Sequence, residues 1–432
     1  MGGWISWGVL PLVAVVVMFD LRLGLSGKPD PISARLVGFS LVALVCAPFL
    51  WINRRQVNRT GRVMLGSFSL LLGYALVSSL LTERPFIQKI LVPRRYLVVP
   101  VIEAGVTMLA AWALALAMPR ARRRAMLWWA AWVLLVTSLA EWPGMAVAMD
   151  SPRLATGMGG AAVVHQAFLL SGGLFLGSHL AGHRRRASLA GVLLSVALLV
   201  ATGSRAGLGC LVLAGIIFLL WSFPRGLGRG VGRVLAGAAV ALALLVALVP
   251  SLQRVLVLGD DMRAMNLRTA WDVFTSSPQN LLLGVGSGHL WPWMAFETGH
   301  LKIAWRGKVI SGFGEHLTSA HSTFAAVAVE LGLVGLALFL VLCAALVLRL
   351  RREWQHMGTP QADPWAFCLS VCVVAALAAS LLDTYLLKSF GIALWWWLLV
   401  AGVLGTTPGP TVAAVGASRE ADELSSDGPS GR

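Results

Sequence analysis

Along the chain, apolar runs near twenty residues long alternate with short polar connections. A run of that length is what an α-helix needs to cross the roughly 30 Å hydrocarbon core of a bilayer. Such runs lie at 4–19, 34–52, 63–81, 98–118, 126–142, 158–180, 187–201, 206–222, 234–250, 321–348, 365–382 and 389–406. The pattern predicts an all-α polytopic membrane protein of about 12 transmembrane helices. They form one bundle over 1–406, with a single long loop, 251–320, between the ninth and tenth. The first run, MGGWISWGVLPLVAVVVMF, lacks the basic n-region of a signal peptide and reads as a retained helix. The tail 407–432 is polar, contains Gly, Ser and Pro, and reads as disordered.

Composition agrees with the pattern. The 432-residue chain is 57% hydrophobic and only 12% charged, about half the charged share of a soluble domain. Its net charge is +16. In a soluble protein that would suggest nucleic acid. Here the arginines cluster in alternate loops, at 54–62, 120–124, 184–186, 225–233 and 349–352, as the positive-inside rule requires. Both termini and the tail are therefore expected in the cytoplasm, the long loop outside, and no nucleic acid is expected as a partner. All five lysines and most acids near helix ends (Asp20, Glu103, Glu141, Asp383) then face outward. The five cysteines all fall inside apolar runs, and no Cys/His set has metal spacing, so they read as core.

Four polar stretches stand out on the outward side. In TGSRAGLGC, Arg205 sits in a tight turn between two apolar runs, where it either snorkels to the interface or has a partner. Residues 262–275, with Met262, Met265, Leu267, Trp271 and Phe274 beside Arg263 and Arg268, predict a short interfacial amphipathic helix. The GVGSGH that follows has no strand before it, so it reads as a turn rather than a dinucleotide loop. In GEHLTSAHSTFAAVAVELGLVG, His321 opens the tenth run, with His316 upstream, Ser319 a candidate cap and Glu330 an expensive intramembrane carboxylate. Histidine there is more often structural than catalytic, yet it is the side chain best suited to move a proton near neutral pH. Finally Arg84, Lys89, Arg94 and Arg95 make a basic patch outside, suited to an anionic ligand or to anionic headgroups.

GSRAG at a turn, NLRTAWDVF followed by GVGSG in a long outer loop, and SAHSTFAAVAVELGLVG opening the next helix occur in that order within 195–340. Together they resemble the O-antigen ligase / O-antigen polymerase superfamily. That family more often has His-Asn where this chain has His321-Ser322, which leaves open what orients the imidazole. The resemblance implies an inverting glycosyltransferase without metal or other cofactor, working on the periplasmic face of the bacterial inner membrane. Its donor would be a glycan on undecaprenyl pyrophosphate, and in a ligase the acceptor is a hydroxyl of lipid A-core. Carried over by motif, Arg205 and Arg268 would bind the pyrophosphate, and His321 would act as base on the acceptor hydroxyl or orient it. Lys89, Arg94 and Arg95 extend the basic surface for the donor on charge alone. His316 is a further candidate for substrate binding, with its role and that of Glu330 left open.

Two other classes compete. A polymerase or a protein O-oligosaccharyltransferase shares the donor chemistry and differs only in acceptor. A lipid-linked glycan transporter would carry charged or broken helices near mid-membrane, and many are built from inverted repeats that sequence often hides. The runs here are almost purely apolar at their centres and show no internal repeat.

Overall fold

The structure is a computed structural model of the chain, described here for residues 31–148, 153–156, 158–222, 261–302 and 308–407. The runs at 4–19 and 234–250, the start of the long loop and the tail from 408 lie outside the described residues.

The chain is mostly helical. Helices α1 (Pro31–Ile52), α2 (Arg59–Leu81), α3 (Arg95–Ala117), α4 (Arg123–Ala148), α5 (His165–Leu180), α6 (Arg185–Ala201) and α7 (Arg205–Ser222) come first. Three short helices follow in the long loop: α8 (Asp261–Thr275), α9 (Pro278–Leu283) and α10 (Trp293–Glu297). Then come α11 (Thr323–His356), α12 (Pro364–Ala379), α13 (Tyr385–Lys388) and α14 (Phe390–Leu399), which runs on into a π-helical turn at Val400–Leu404. Among the described residues, 5 helices are long and apolar enough to cross a membrane: α2, α3, the Arg123–Gly144 part of α4, α7 and α11.

A helix that is apolar all round must be buried all round. α14 is such a helix: Trp395, Trp396 and Trp397 are all fully buried, and Phe68 of α2 packs on Trp397 with ring centroids 4.8 Å apart. α12 is the other, buried at nearly every position. It lies against α5, where a side chain on Gly173 would strike Cys372 and one on Gly177 would strike the Trp365 backbone.

At one end the bundle is tied by polar groups meeting the last carbonyls of α14. Asn58 caps α2 through Gly61 N–H and donates to Leu404 O (2.8 Å) and Thr406 O (3.2 Å). Arg123 donates to Thr406 Oγ1 (2.9 Å) and Gln56 Oε1 (2.8 Å). Arg124 pairs with Asp363.

At the other end the long loop folds back on the helices. A four-stranded sheet forms there, in the order β2 (Ile90–Leu91), β1 (Phe86–Ile87), β3 (Lys308–Ser311), β4 (Gly314–Leu317), with all pairs antiparallel. The all-α reading needs this correction. Strands of two to four residues leave no alternating pattern to read, and β1 meets β3 across more than two hundred residues.

α11 is broken at Gly332, where φ is +63°. The break frees the carbonyls of Val329 and Glu330 from their helical donors. Val285 N–H and Gly286 N–H replace those donors, each at 3.0 Å. The GVGSGH segment is a turn, with positive φ at Gly284, Gly286 and Gly288. The Glu330 carboxylate holds it by accepting from Gly288 N–H (2.9 Å) and Trp291 N–H (3.1 Å). This accounts for the buried carboxylate that looked expensive in sequence: two backbone donors satisfy it. Ser322 rather than Ser319 caps α11, accepting from Ala325 N–H at 3.1 Å. α11 also extends to His356, past the predicted end at 348.

Gly284 has φ +78°, and a Cβ there would collide with the Glu330 carbonyl. Gly284→Ala is therefore expected to lower stability by about 2 kcal/mol or more, through strain and clash together. Thermal unfolding of the detergent-solubilised protein, followed by tryptophan fluorescence, checks this. An unchanged midpoint would mean the turn does not lock the broken helix.

Candidate functional site

The site end is built from segments far apart in sequence. Arg205 is the first residue of α7. Gly203 turns the chain with φ +56°, and Ser204 Oγ accepts from Gly207 N–H at 3.2 Å, capping the helix. Arg153 Nε donates to Thr202 O at 2.9 Å and clamps the same turn. The GSRAG sequence thus presents a half-buried arginine beside the N-terminus of an 18-residue helix, where free N–H groups and the helix dipole favour an anion.

α7 packs directly on α5: a Cβ on Gly207 would lie 2.8 Å from the His165 side chain. His165 is fully buried, accepts from Gln166 Nε2 at 3.0 Å, and has its Nε2 3.6 Å from Asp383 Oδ2. Asp383 lies between α12 and α13. Its burial pushes the carboxyl well above the ordinary carboxylate range, and the charge of Arg263 pulls the other way.

Asp383 also supports the start of α11. Its carbonyl accepts from Thr323 N–H (3.0 Å) and Thr323 Oγ1 (2.7 Å), while Ser380 O accepts from Thr323 N–H at 2.8 Å. Two residues upstream, His321 is half-buried with φ +52°, a conformation unusual for a residue with a Cβ. Its neighbours hold it there: Ser322 is the cap, and Ala320 O accepts from Asn266 Nδ2 at 3.0 Å. Strain kept in place by its surroundings is common at working sites.

Asn266, buried on α8, is the hub of this region. Besides Ala320 O, it accepts through Oδ1 from Leu317 N–H and from Trp291 Nε1, each at 3.0 Å.

No protein-family model matches this chain, and no curated protein matches it.

The sequence-predicted residues fall into three groups. Arg205 and His321 are linked through a series of contacts: α7 packs on His165 of α5, His165 lies 3.6 Å from Asp383, and the Asp383 carbonyl accepts from Thr323, two residues past His321. Arg268 lies on the exposed face of α8. At about 100° per residue, it stands roughly 140° around the helix from the half-buried Arg263. Lys89, Arg94 and Arg95 lie on the sheet hairpin and at the head of α3, all exposed. Arg94 is near His289, whose pKa burial lowers and Arg94 lowers further.

His316 needs correction as a substrate-binding candidate. It is fully buried in β4, Nδ1 is 2.8 Å from Leu317 O, and Nε2 is 2.9 Å from Ser311 Oγ. Both ring nitrogens are used within the sheet. Burial holds the imidazole below its ordinary pKa, and so neutral.

Asp383, His165, Gln166 and Arg263 were not selected from sequence. The signal was present but faint: His165-Gln166 interrupts an apolar run, and buried polar groups in such runs are costly. Among the described residues no three His, Cys, Asp or Glu side chains gather as metal ligands would.

Because the folded pKa of Asp383 is raised, the native state holds its proton more tightly than the unfolded chain does. That contribution to stability is fully present below the unfolded pKa, about 3.9, and is lost as pH rises through the folded value. The melting difference between wild type and Asp383→Asn is expected to move against wild type as pH is raised from about 4. A pH-independent difference would refute the buried, proton-retaining carboxyl.

Proposed function

We propose that the protein is a glycosyltransferase of the O-antigen ligase type, transferring a glycan from undecaprenyl pyrophosphate to a hydroxyl of lipid A-core. The observation that carries this reading is that α7, α5, Asp383 and the start of α11 pack in series at one end of the bundle, with Arg205 at the capped N-terminus of α7 and His321 just before α11. This reading has the membrane-spanning bundle in the bacterial inner membrane. It puts the arginine-rich loops and both termini in the cytoplasm, and the site end in the periplasm, as positive-inside logic favours.

Pyrophosphate leaves readily once its charge is neutralised, and two arginines plus a helix N-terminus supply that neutralisation without moving. The acceptor oxygen gives its proton to the His321 imidazole and bonds to the anomeric carbon from the face opposite the leaving group. The bond from that carbon to the pyrophosphate oxygen breaks, and the electron pair departs with the lipid carrier. Arg205 and Arg263 hold the pyrophosphate, with Arg268 behind them on α8. Asp383, through its carbonyl, keeps the start of α11 and hence His321 in place, which makes it a positioning residue.

The test uses lipopolysaccharide gels from a host lacking this gene, complemented with wild type, Arg205→Ala, Arg263→Ala or His321→Ala at matched membrane levels. Wild type restores the ladder, and each variant leaves bare core with polymer still on the lipid carrier. In purified transfer assays each arginine loss is expected to lower kcat by about 10²–10³, the range for removing one fixed donor to a developing anion. A normal ladder from Arg205→Ala and His321→Ala would overturn the assignment. Core carrying a single repeat in the deletion host would make the enzyme a polymerase instead.

A further inference from the structure

The β1–β2 hairpin carries features that the proposed transfer leaves unused. Gln88 and Lys89 form a two-residue turn between the paired Ile87 and Ile90, with φ +52° and +64°. Tight hairpin turns of this kind favour Asn-Gly, because side chains are strained in the left-handed region. Here the tip keeps two long polar side chains despite that strain. An observed backbone outlier of this kind points toward function.

The sheet has two unlike faces. Ile87, Val309 and His316 turn inward, the first two packing with Tyr96, Leu97, Phe296 and Leu301. Phe86 and Ile310 turn outward, 62% and 63% exposed. The same segment carries Arg84, Lys89, Arg94 and Arg95, all exposed, with Glu83 the one acid in 82–95. Lys308 on the outer face is already neutralised by Glu315 at 3.2 Å.

The connection is short. The hairpin joins Leu81 at the end of α2 to Arg95 at the start of α3, two helices apolar and long enough to cross a membrane. Phe86 can therefore stand at most about 18 Å from the end of α2, within reach of the headgroup layer.

We infer that this hairpin face docks on the anionic phospholipid headgroups at the membrane surface. Phe86 and Ile310 enter the apolar boundary, and Arg84 and Lys89 lie on lipid phosphates. Charge complementarity favours that occupant. A second copy would set this cationic face against its own like charges in a two-fold contact. The hairpin is also held by β3. The inference is independent of the transferase reading.

The test reconstitutes the full chain in nanodiscs of phosphatidylcholine alone or with phosphatidylglycerol added. Nitroxides are placed at Phe86→Cys and Ile310→Cys in a background with Cys46→Ser and Cys343→Ser. Collision rates with oxygen and with a water-soluble nickel chelate report depth. Anionic discs are expected to raise the oxygen rate and lower the nickel rate, an effect reversed by high salt. Lys89→Glu is expected to shift the docked-to-undocked ratio by at least about fivefold, the effect of one basic residue at an anionic surface. Equal nickel rates in both lipids, or nitroxide coupling between two copies in one disc, would overturn the inference.

A second readout needs no substitution. Modification of Lys89 by a membrane-impermeant amine reagent, read by mass spectrometry on wild type, is expected to slow about fivefold in anionic discs. Equal rates in the two lipids would likewise overturn it.

Discussion

A backbone carbonyl left unpaired in an apolar interior is costly, and the break in α11 at Gly332 creates two. Their rescue by Val285 and Gly286 ties the long loop to the bundle at a fixed height. The Glu330 carboxylate then fixes the rest of the turn through Gly288 and Trp291. From that anchor the neighbouring parts follow. His289, just past the turn, reaches Glu83 O with Nε2 at 2.8 Å and holds the loop that carries the hairpin. Trp291 reaches Asn266, and Asn266 holds the strand end and the residues before His321. The break in one helix thus ties down the described part of the long loop around 284–291 and its contacts with Glu83 and Asn266.

The two ends of the bundle use arginine differently. At the end tied by Asn58, Arg123 is spent on Thr406 and Gln56, and Arg349 is buried against Glu353 at 3.0 Å. Those guanidinium groups close the packing of the helix ends. At the other end, Arg205 and Arg263 are only half-buried, while the Asp383 carboxyl is itself buried.

The apolar pattern made the helical character legible, and 5 described helices are long and apolar enough to cross a membrane. Sustained runs without charge can only be helical in a bilayer, since every backbone group must be satisfied within the segment. The amphipathic helix at 262–275 was readable for the same reason, its period being local, and the structure has α8 at Asp261–Thr275. Glycine identity made the GVGSGH turn legible, and its glycines do carry positive φ. Arg205 and His321 stood out in sequence because each is a polar residue at the edge of an apolar run.

What only the tertiary structure decided depends on contacts between distant segments. Sequence could not pair Phe86–Ile87 with a strand from the long loop, because two-residue strands carry no period. It could not show that Glu330 is answered by two backbone N–H groups, nor that His316 is used up within the sheet. It could not show which face of α8 is turned inward: Asn266 is buried, Arg263 half-buried and Arg268 exposed. A helix face is fixed by what packs against it, and for α8 that packing comes from 317–320 and Trp291. Local sequence determined which elements form; which side chains meet was determined by the broken helix and the polar groups that satisfy it.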